Sequence, residues 1–141
     1  MGASHSVSVA GVVVSADGRV LVIRRRDNGA WEPPGGVLEL DESPEGGVVR
    51  EVWEETGVGV RVERLTGVYK NMARGIIALV FRCTPTTGEP QTSPESSAVE
   101  WFTPQQVTQR MSEAYAIRVL DALSTQTPQV RTHDGHHLTH P

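Results

Sequence analysis

Cysteine, long apolar runs and excess positive charge are all scarce in this sequence. Cys83 is the single cysteine, so the chain cannot close an internal disulfide. It sits in the apolar run Ile76–Cys83 with no histidine near it in sequence, which suits a small buried hydrophobe better than a catalytic thiol. No run of about 18 apolar residues is present, so no membrane-spanning helix and no membrane partner are expected. Met1–His5 lacks the basic stretch and apolar block of a secretory signal, and a cytoplasmic protein is expected. Lys and Arg total 13 against 17 Asp and Glu, a formal charge of −4. A nucleic-acid polymer is therefore not an expected partner. Arg24-Arg25-Arg26 is the one basic cluster, either a solvated strand end or a local phosphate contact. An anionic substrate would need cations to neutralise it beside so acidic a chain.

The 141 residues are 38% hydrophobic and 21% charged, which suits one globular domain. Val7–Ser15 and Val20–Arg26 are β-branched runs flanking Ala16-Asp17-Gly18, a hairpin pattern. Trp31–Gly36 reads as a rigid loop and Val37–Leu40 as a short extended piece. A helix is expected from Ser43, a natural cap followed by Pro44, to about Thr56, with Gly57 as its stop. Val58–Tyr69 and Gly75–Thr84 read as strands, Pro85–Ser97 as a loop, and Ala98–Phe102 as a short strand. Pro104–Arg110 and Ser112–Leu123 look helical. This order predicts an α/β (α+β) domain over residues 1–124, a mixed β-sheet sandwiched between helices. Residues 125–141 are expected to be a loosely ordered tail. Its His133, His136, His137 and His140 are read as solvated rather than as a transition-metal site. Pro128–Arg131 is the part of the tail suited to packing on the domain or on a second copy, so a homodimer is a possible assembly.

The chemistry concentrates in the central helix. At about 100° per residue, with Glu51 at zero, Glu54 falls near ~300° and Glu55 near ~40°. The three carboxylates share an arc of about 100° beside an apolar flank of Val48, Val49 and Val52. At ~5 Å and an effective dielectric of ~20, each pair repels by roughly 3 kcal/mol. Either solvent or a divalent cation must offset that cost, and the i, i+3, i+4 spacing suits several oxygens converging on one ion.

The flanking residues extend the pattern. Gly36, five residues, Glu42, seven residues, and then Arg50-Glu51-Val52-Trp53-Glu54-Glu55-Thr56-Gly57-Val58 resemble the complete Nudix box. The resemblance implies the Nudix fold and a small bacterial MutT-like type of enzyme. Such an enzyme hydrolyses the pyrophosphate linkage of nucleoside diphosphate derivatives with Mg²⁺ or Mn²⁺. It implies Glu51, Glu54 and Glu55 as metal ligands, with the Gly36 carbonyl as a further candidate. Arg50 would orient its neighbouring glutamate, while Glu42 and Gly57 would be structural. Glu51, Glu54, Arg50 and a loop glutamate make up the implied catalytic set. Glu95, six residues before Trp101, is the leading loop candidate for a base, with Glu89 and Glu100 as alternatives and a solvated charge as the plain reading.

Substrate contacts are expected from Arg24, Arg26, Trp31, Tyr69 and Asn71. Trp31 either stacks on a base or packs over the sheet edge. The expected substrate is a small (d)NTP-like nucleotide. The alternatives are an ADP-ribose or nucleotide-sugar pyrophosphatase and a non-catalytic nucleotide sensor. The ADP-ribose marker, a proline about sixteen residues past the box, is replaced by Arg74, and Tyr69 lies too early for the dinucleoside-polyphosphate marker. Two further departures stand out: Gly46-Gly47 where the family mostly has alanines, and the double proline Pro33-Pro34.

Overall fold

The computed structural model describes residues 3–124 and 126–140. Chain order is β1 (Ser6–Val13), β2 (Val20–Arg25), β3 (Trp31–Glu32), β4 (Gly35–Val37), α1 (Pro44–Thr56), β5 (Gly59–Asn71), β6 (Ile76–Thr87), β7 (Ser96–Phe102), α2 (Pro104–Arg110), α3 (Glu113–Ser124), β8 (Gln129–His133) and β9 (Leu138–Thr139). A six-stranded mixed sheet runs β4-β1-β6-β5-β8-β9, and a three-stranded antiparallel sheet runs β3-β2-β7. β1 lies parallel to β6 in its middle, buried on both faces, which accounts for its continuous Val-rich run.

Alternation along β1 divides the core in two. Val9 and Val13 join Val48 and Val52 of α1, together with Phe81 and Cys83. Ala10 and Val12 point the other way, into a cluster with Tyr69, Val80, Val119 and Ala122 under α3. Cys83 is fully buried, as its apolar run implied, and burial pushes its thiol up to about 12. The mixed sheet therefore sits between α1 and α3. No helix among the described residues is long and apolar enough to cross a membrane.

Three segments differ from the sequence expectation. Trp31–Glu32 is a strand paired to β2, and Gly35–Val37 pairs antiparallel with β1, so the proline-rich approach expected as a rigid loop is held by strand pairing on both sides. β6 continues to Thr87 because Pro85 sits opposite Val60 beside a register shift, where a missing N–H is tolerated. The largest correction concerns the tail. Residues 129–133 form β8, parallel to β5, and β9 pairs back on it. Arg131 ties β8 down through both oxygens of Asp121, at 2.8 and 2.9 Å, and His133 is fully buried. His136 and His137 stay exposed, but their backbone N–H groups donate to Asp134 in the turn before β9.

Candidate active site

α1 starts where Ser43 Oγ accepts the N–H of Gly46 at 3.1 Å, and it ends at Gly57, whose φ of 74° is the left-handed cap. Between these caps Val48 and Val52 are fully buried, which orients the next face of the helix toward a cleft of about 1390 Å³. Glu51, Glu54 and Glu55 all line that cleft. Glu51 and Glu55 are buried at 8% and 5% exposure, whereas Glu54 is exposed.

Arg50 is the cation that holds this face together. Its Nη1 lies 2.7 Å from Glu51 Oε1 and 3.2 Å from Glu54 Oε2. Its Nε and Nη2 grip both oxygens of Glu42, at 2.9 and 2.5 Å, and Nη2 also reaches the Val37 carbonyl. That hydrogen bonding holds the Glu42 carboxyl down at about 2. Glu42 therefore braces the approach loop through Arg50, and its oxygens are fully engaged.

Glu55 behaves differently. Burial pushes its carboxyl up to about 8, although the Gly35 N–H donates to it at 2.7 Å. The carboxylates of Glu51, Glu95 and Glu32 add to the rise. Burial also raises Glu51, against the pull of Arg50. These are hard oxygen donors under mutual repulsion, a set suited to a hard divalent cation. The backbone makes room for them: a Cβ on Gly36 would lie 2.6 Å from Glu51 Oε2. Among the described residues no group of three acidic, histidine or cysteine side chains is gathered to hold an ion, and Arg50 engages Glu51 Oε1 and Glu54 Oε2. An ion must draw those oxygens away from Arg50.

The remaining sequence candidates divide clearly. Glu95, on the loop before β7, lines the cleft, and Glu89 and Glu100 do not. Arg26 lines it too, with Nε on the Ser93 carbonyl at 2.9 Å and its backbone N–H on the Glu95 carbonyl at 3.0 Å, so it anchors the Glu95 loop. Trp31 lines the cleft half-buried, its ring 4.8 Å from that of Phe102. Asn71 stands at the rim, where its Oδ1 caps the turn at Ala73 and Arg74.

Two candidates are displaced. Arg24 is absent from the cleft wall; its Nε donates to the Gly29 carbonyl and its guanidinium lies 5.9 Å from the Trp31 ring, while Arg25, past the register shift between the two, lines the cleft. Tyr69 is fully buried beneath α3, donating to Asp121 Oδ2 at 2.7 Å, and cannot touch a ligand.

The structure adds residues that the sequence reading passed over: Arg25, Glu32, Tyr115, Arg118 and His133 also line the cleft. A signal for Arg118 was present. It lies three residues after Tyr115 and beside Val119 on the apolar face of α3, where an arginine is out of place.

A family model described as NUDIX domain matches residues 4–123. A MutT-like protein of Streptomyces ambofaciens is 69% identical over 134 residues, covering 95% of this chain and 87% of that protein. An ADP-ribose pyrophosphatase of Methanocaldococcus jannaschii is 35% identical over 104 residues, 69% of this chain and 61% of that protein. The crystal structure of a NUDIX hydrolase from Nitrosomonas europaea aligns with a TM-score of 0.79 at 19% identity, over 94% of this chain and 82% of that one, a likeness of fold.

Proposed function

The chain belongs to the NUDIX family of hydrolases, and from that premise we propose that it cleaves the pyrophosphate linkage of small nucleoside diphosphate derivatives, (d)NTP-like nucleotides first among them. The observation that carries the reading is the pair of buried carboxylates, Glu51 and Glu55, facing a cleft and raised by their own burial. Family members generally use divalent metal ions; Mg²⁺ or Mn²⁺ suits this all-oxygen set. When bound, the ion supplies neutralisation of the diphosphate and a more acidic water.

The chain's own residues do the rest. Glu51, Glu54 and Glu55 offer the ligand oxygens, with the Gly36 carbonyl beside them. Arg50 keeps Glu51 aimed and Glu42 out of the way. Water attacks one phosphorus as the bridging P–O bond breaks, and Glu95, swung from its loop, accepts the proton of that water. Trp31 offers a flat apolar face to a base at the cleft wall.

A specific observation supports ADP-ribose or a nucleotide sugar as a second substrate class. At about 1390 Å³ the cleft exceeds the roughly 300–1,000 Å³ typical of small-ligand pockets, which leaves space beyond one nucleotide. The relative named as an ADP-ribose pyrophosphatase points the same way.

The test is turnover of a panel of triphosphates, ADP-ribose, nucleotide sugars and dinucleoside polyphosphates with Mg²⁺ and then Mn²⁺, reading released phosphate, pyrophosphate or nucleoside monophosphate. Hydrolysis of a nucleoside triphosphate, abolished by chelation, is the expected result. Failure to turn over any member favours a nucleotide-sensing domain.

A further inference from the structure

One group in the cleft has no part in the hydrolysis described above. Arg118 of α3 is buried at 7% exposure, lines the cleft, and makes no ion pair with any described carboxylate. Its guanidinium lies over Tyr115 at 4.6 Å and Tyr69 at 5.3 Å, and the ring faces offset part of its charge. Glu32 is the nearest acidic influence, but its Oε1 is engaged by Arg25 at 3.4 Å. Arg118 Nε has no acceptor among the described residues.

The one hydrogen-bond contact it does have is compromised. Arg118 Nη2 approaches His133 Nε2 at 3.3 Å, while His133 Nδ1 accepts the Gly135 N–H at 2.9 Å. A neutral imidazole has one acceptor nitrogen, so it cannot serve both donors at once. The guanidinium is thus short of acceptors on more than one N–H, in a place where an unmade hydrogen bond is costly. Its neighbours place this site on α3 and β8, a different stretch of the wall from the glutamates of α1.

We propose that Arg118 is a specificity-determining residue that reads the end of the substrate remote from the scissile diphosphate, and that this end carries an oxygen acceptor. The planar fork suits an oxygen in the plane of a rigid ring or an oxygen of a second phosphate, and it offers nothing to an amino group. The tyrosine face beside it and the half-buried Trp31 form the apolar surroundings of such a group. The inference rests on reading this cleft as the hydrolytic site.

The test uses matched ligand pairs on the metal-free protein, so that no turnover is needed. Calorimetric or NMR titration compares IMP with AMP, which differ by an oxygen against an amino group on the base. It then compares ADP-ribose 2′-phosphate with ADP-ribose, which differ by a phosphate against a hydroxyl. In at least one pair the oxygen-bearing or phosphorylated member is expected to bind about tenfold tighter, and the pair that responds identifies the source of the oxygen. In Arg118→Met that ratio should collapse toward one, and Arg118→Lys should restore only part of it.

Equal binding within twofold in both pairs, or no measurable binding of any of the four ligands, overturns the proposal without recourse to a variant. A preference that persists unchanged in Arg118→Met overturns it as well. A preserved preference in a protein that hydrolyses nothing sinks the hydrolase reading and leaves the role of Arg118 standing. Hydrolysis without any preference sinks only the role of Arg118.

Discussion

The two walls of the cleft carry opposite electrostatic imbalances. On the α1 wall, Glu42, Glu51 and Glu54 share one arginine, and Glu55 stands apart with only a backbone donor recorded at its carboxylate. On the α3–β8 wall a buried arginine faces ring faces and an overcommitted histidine. Neither arrangement is favourable by itself. Each is held by packing behind it: Val48 and Val52 on one side, Val119 and Ala122 on the other. The packing of the fold thus holds two unresolved charge environments, one suited to a cation and one to an acceptor. On the function proposed, a diphosphate substrate whose far end bears an oxygen would resolve both.

Loss of Glu55 should have the largest effect on the acid wall. Glu55→Gln keeps the shape and the acceptor for the Gly35 N–H but removes the ionisable oxygen. Its kcat should fall by about two to three orders of magnitude, while the metal-free protein at pH 8 should melt no lower than wild type. Near-normal turnover would take Glu55 out of the acid wall and leave Glu51 and Glu54 as its working members.

These two walls were unequally legible in the sequence. The acid wall is written between Gly36 and Val58, because helical spacing places residues three and four apart on one face. The geometry of Glu51, Glu54 and Glu55 and the Ser43 and Gly57 caps follow from local pattern, whereas Glu95 was named from the family resemblance and reaches the cleft on the loop before β7. The other wall is assembled from β2, β3, α3 and β8, and nothing in the spacing of Arg25, Trp31, Arg118 and His133 reveals that they meet. Arg24 gives way to Arg25 beside the register shift between them, an irregularity that strand spacing alone does not announce. Tyr69 was misplaced because the cover over its side of β5 is α3, and its partner Asp121 lies 52 residues away in sequence. The tail was misjudged for a related reason. β8 is short and polar, and its place depends on pairing with distant β5 and on the Arg131–Asp121 pair.

A smaller effect sharpens the contrast through pH. Burial holds the folded Glu55 carboxyl at about 8 against 4.5 when exposed. Between those values the unfolded chain releases a proton that the folded chain keeps, so stability falls as pH rises and levels off above about 8. His133 acts in the other direction, because burial beside Arg118 lowers its pKa from 6.5. Acidification through that region protonates the unfolded ring first and costs stability. The two effects oppose each other below pH 6.5 and Glu55 acts alone above it, so melting of the metal-free protein should change little on the acid side and fall from there toward pH 8. Glu55→Gln should abolish the fall above pH 6.5 and uncover a rise with pH below it, whereas His133→Gln should extend the fall to the acid side. Added Mg²⁺ should raise Tm most near pH 8, where the carboxylate is easiest to free. Identical profiles for both variants would mean that the two walls do not titrate separately.

The smallest effect distinguishes catalytic from purely structural features within the acid wall. Gly46 and Gly47 each cost α1 about 1 kcal/mol relative to alanine. The space they leave is taken up within the fold. A Cβ at Gly46 would lie 2.9 Å from Ser43 Oγ, the capping atom. A Cβ at Gly47 would meet Leu38 Cδ1 at 2.7 Å, Glu42 Oε1 at 3.1 Å and Val9 Cγ2 at 3.2 Å. Gly46→Ala should therefore gain helix propensity and lose most of it again through the cap, itself worth about 1 kcal/mol. Its Tm should move by less than about 2 °C, with kcat unchanged. Gly47→Ala presses on fully buried Val9 and on the carboxylate that Arg50 grips, so its Tm should fall and its KM for metal should rise. If Gly46→Ala instead stabilises by several degrees, the Ser43 cap contributes little, and the first turn of α1 is held by the Glu42–Arg50 brace alone.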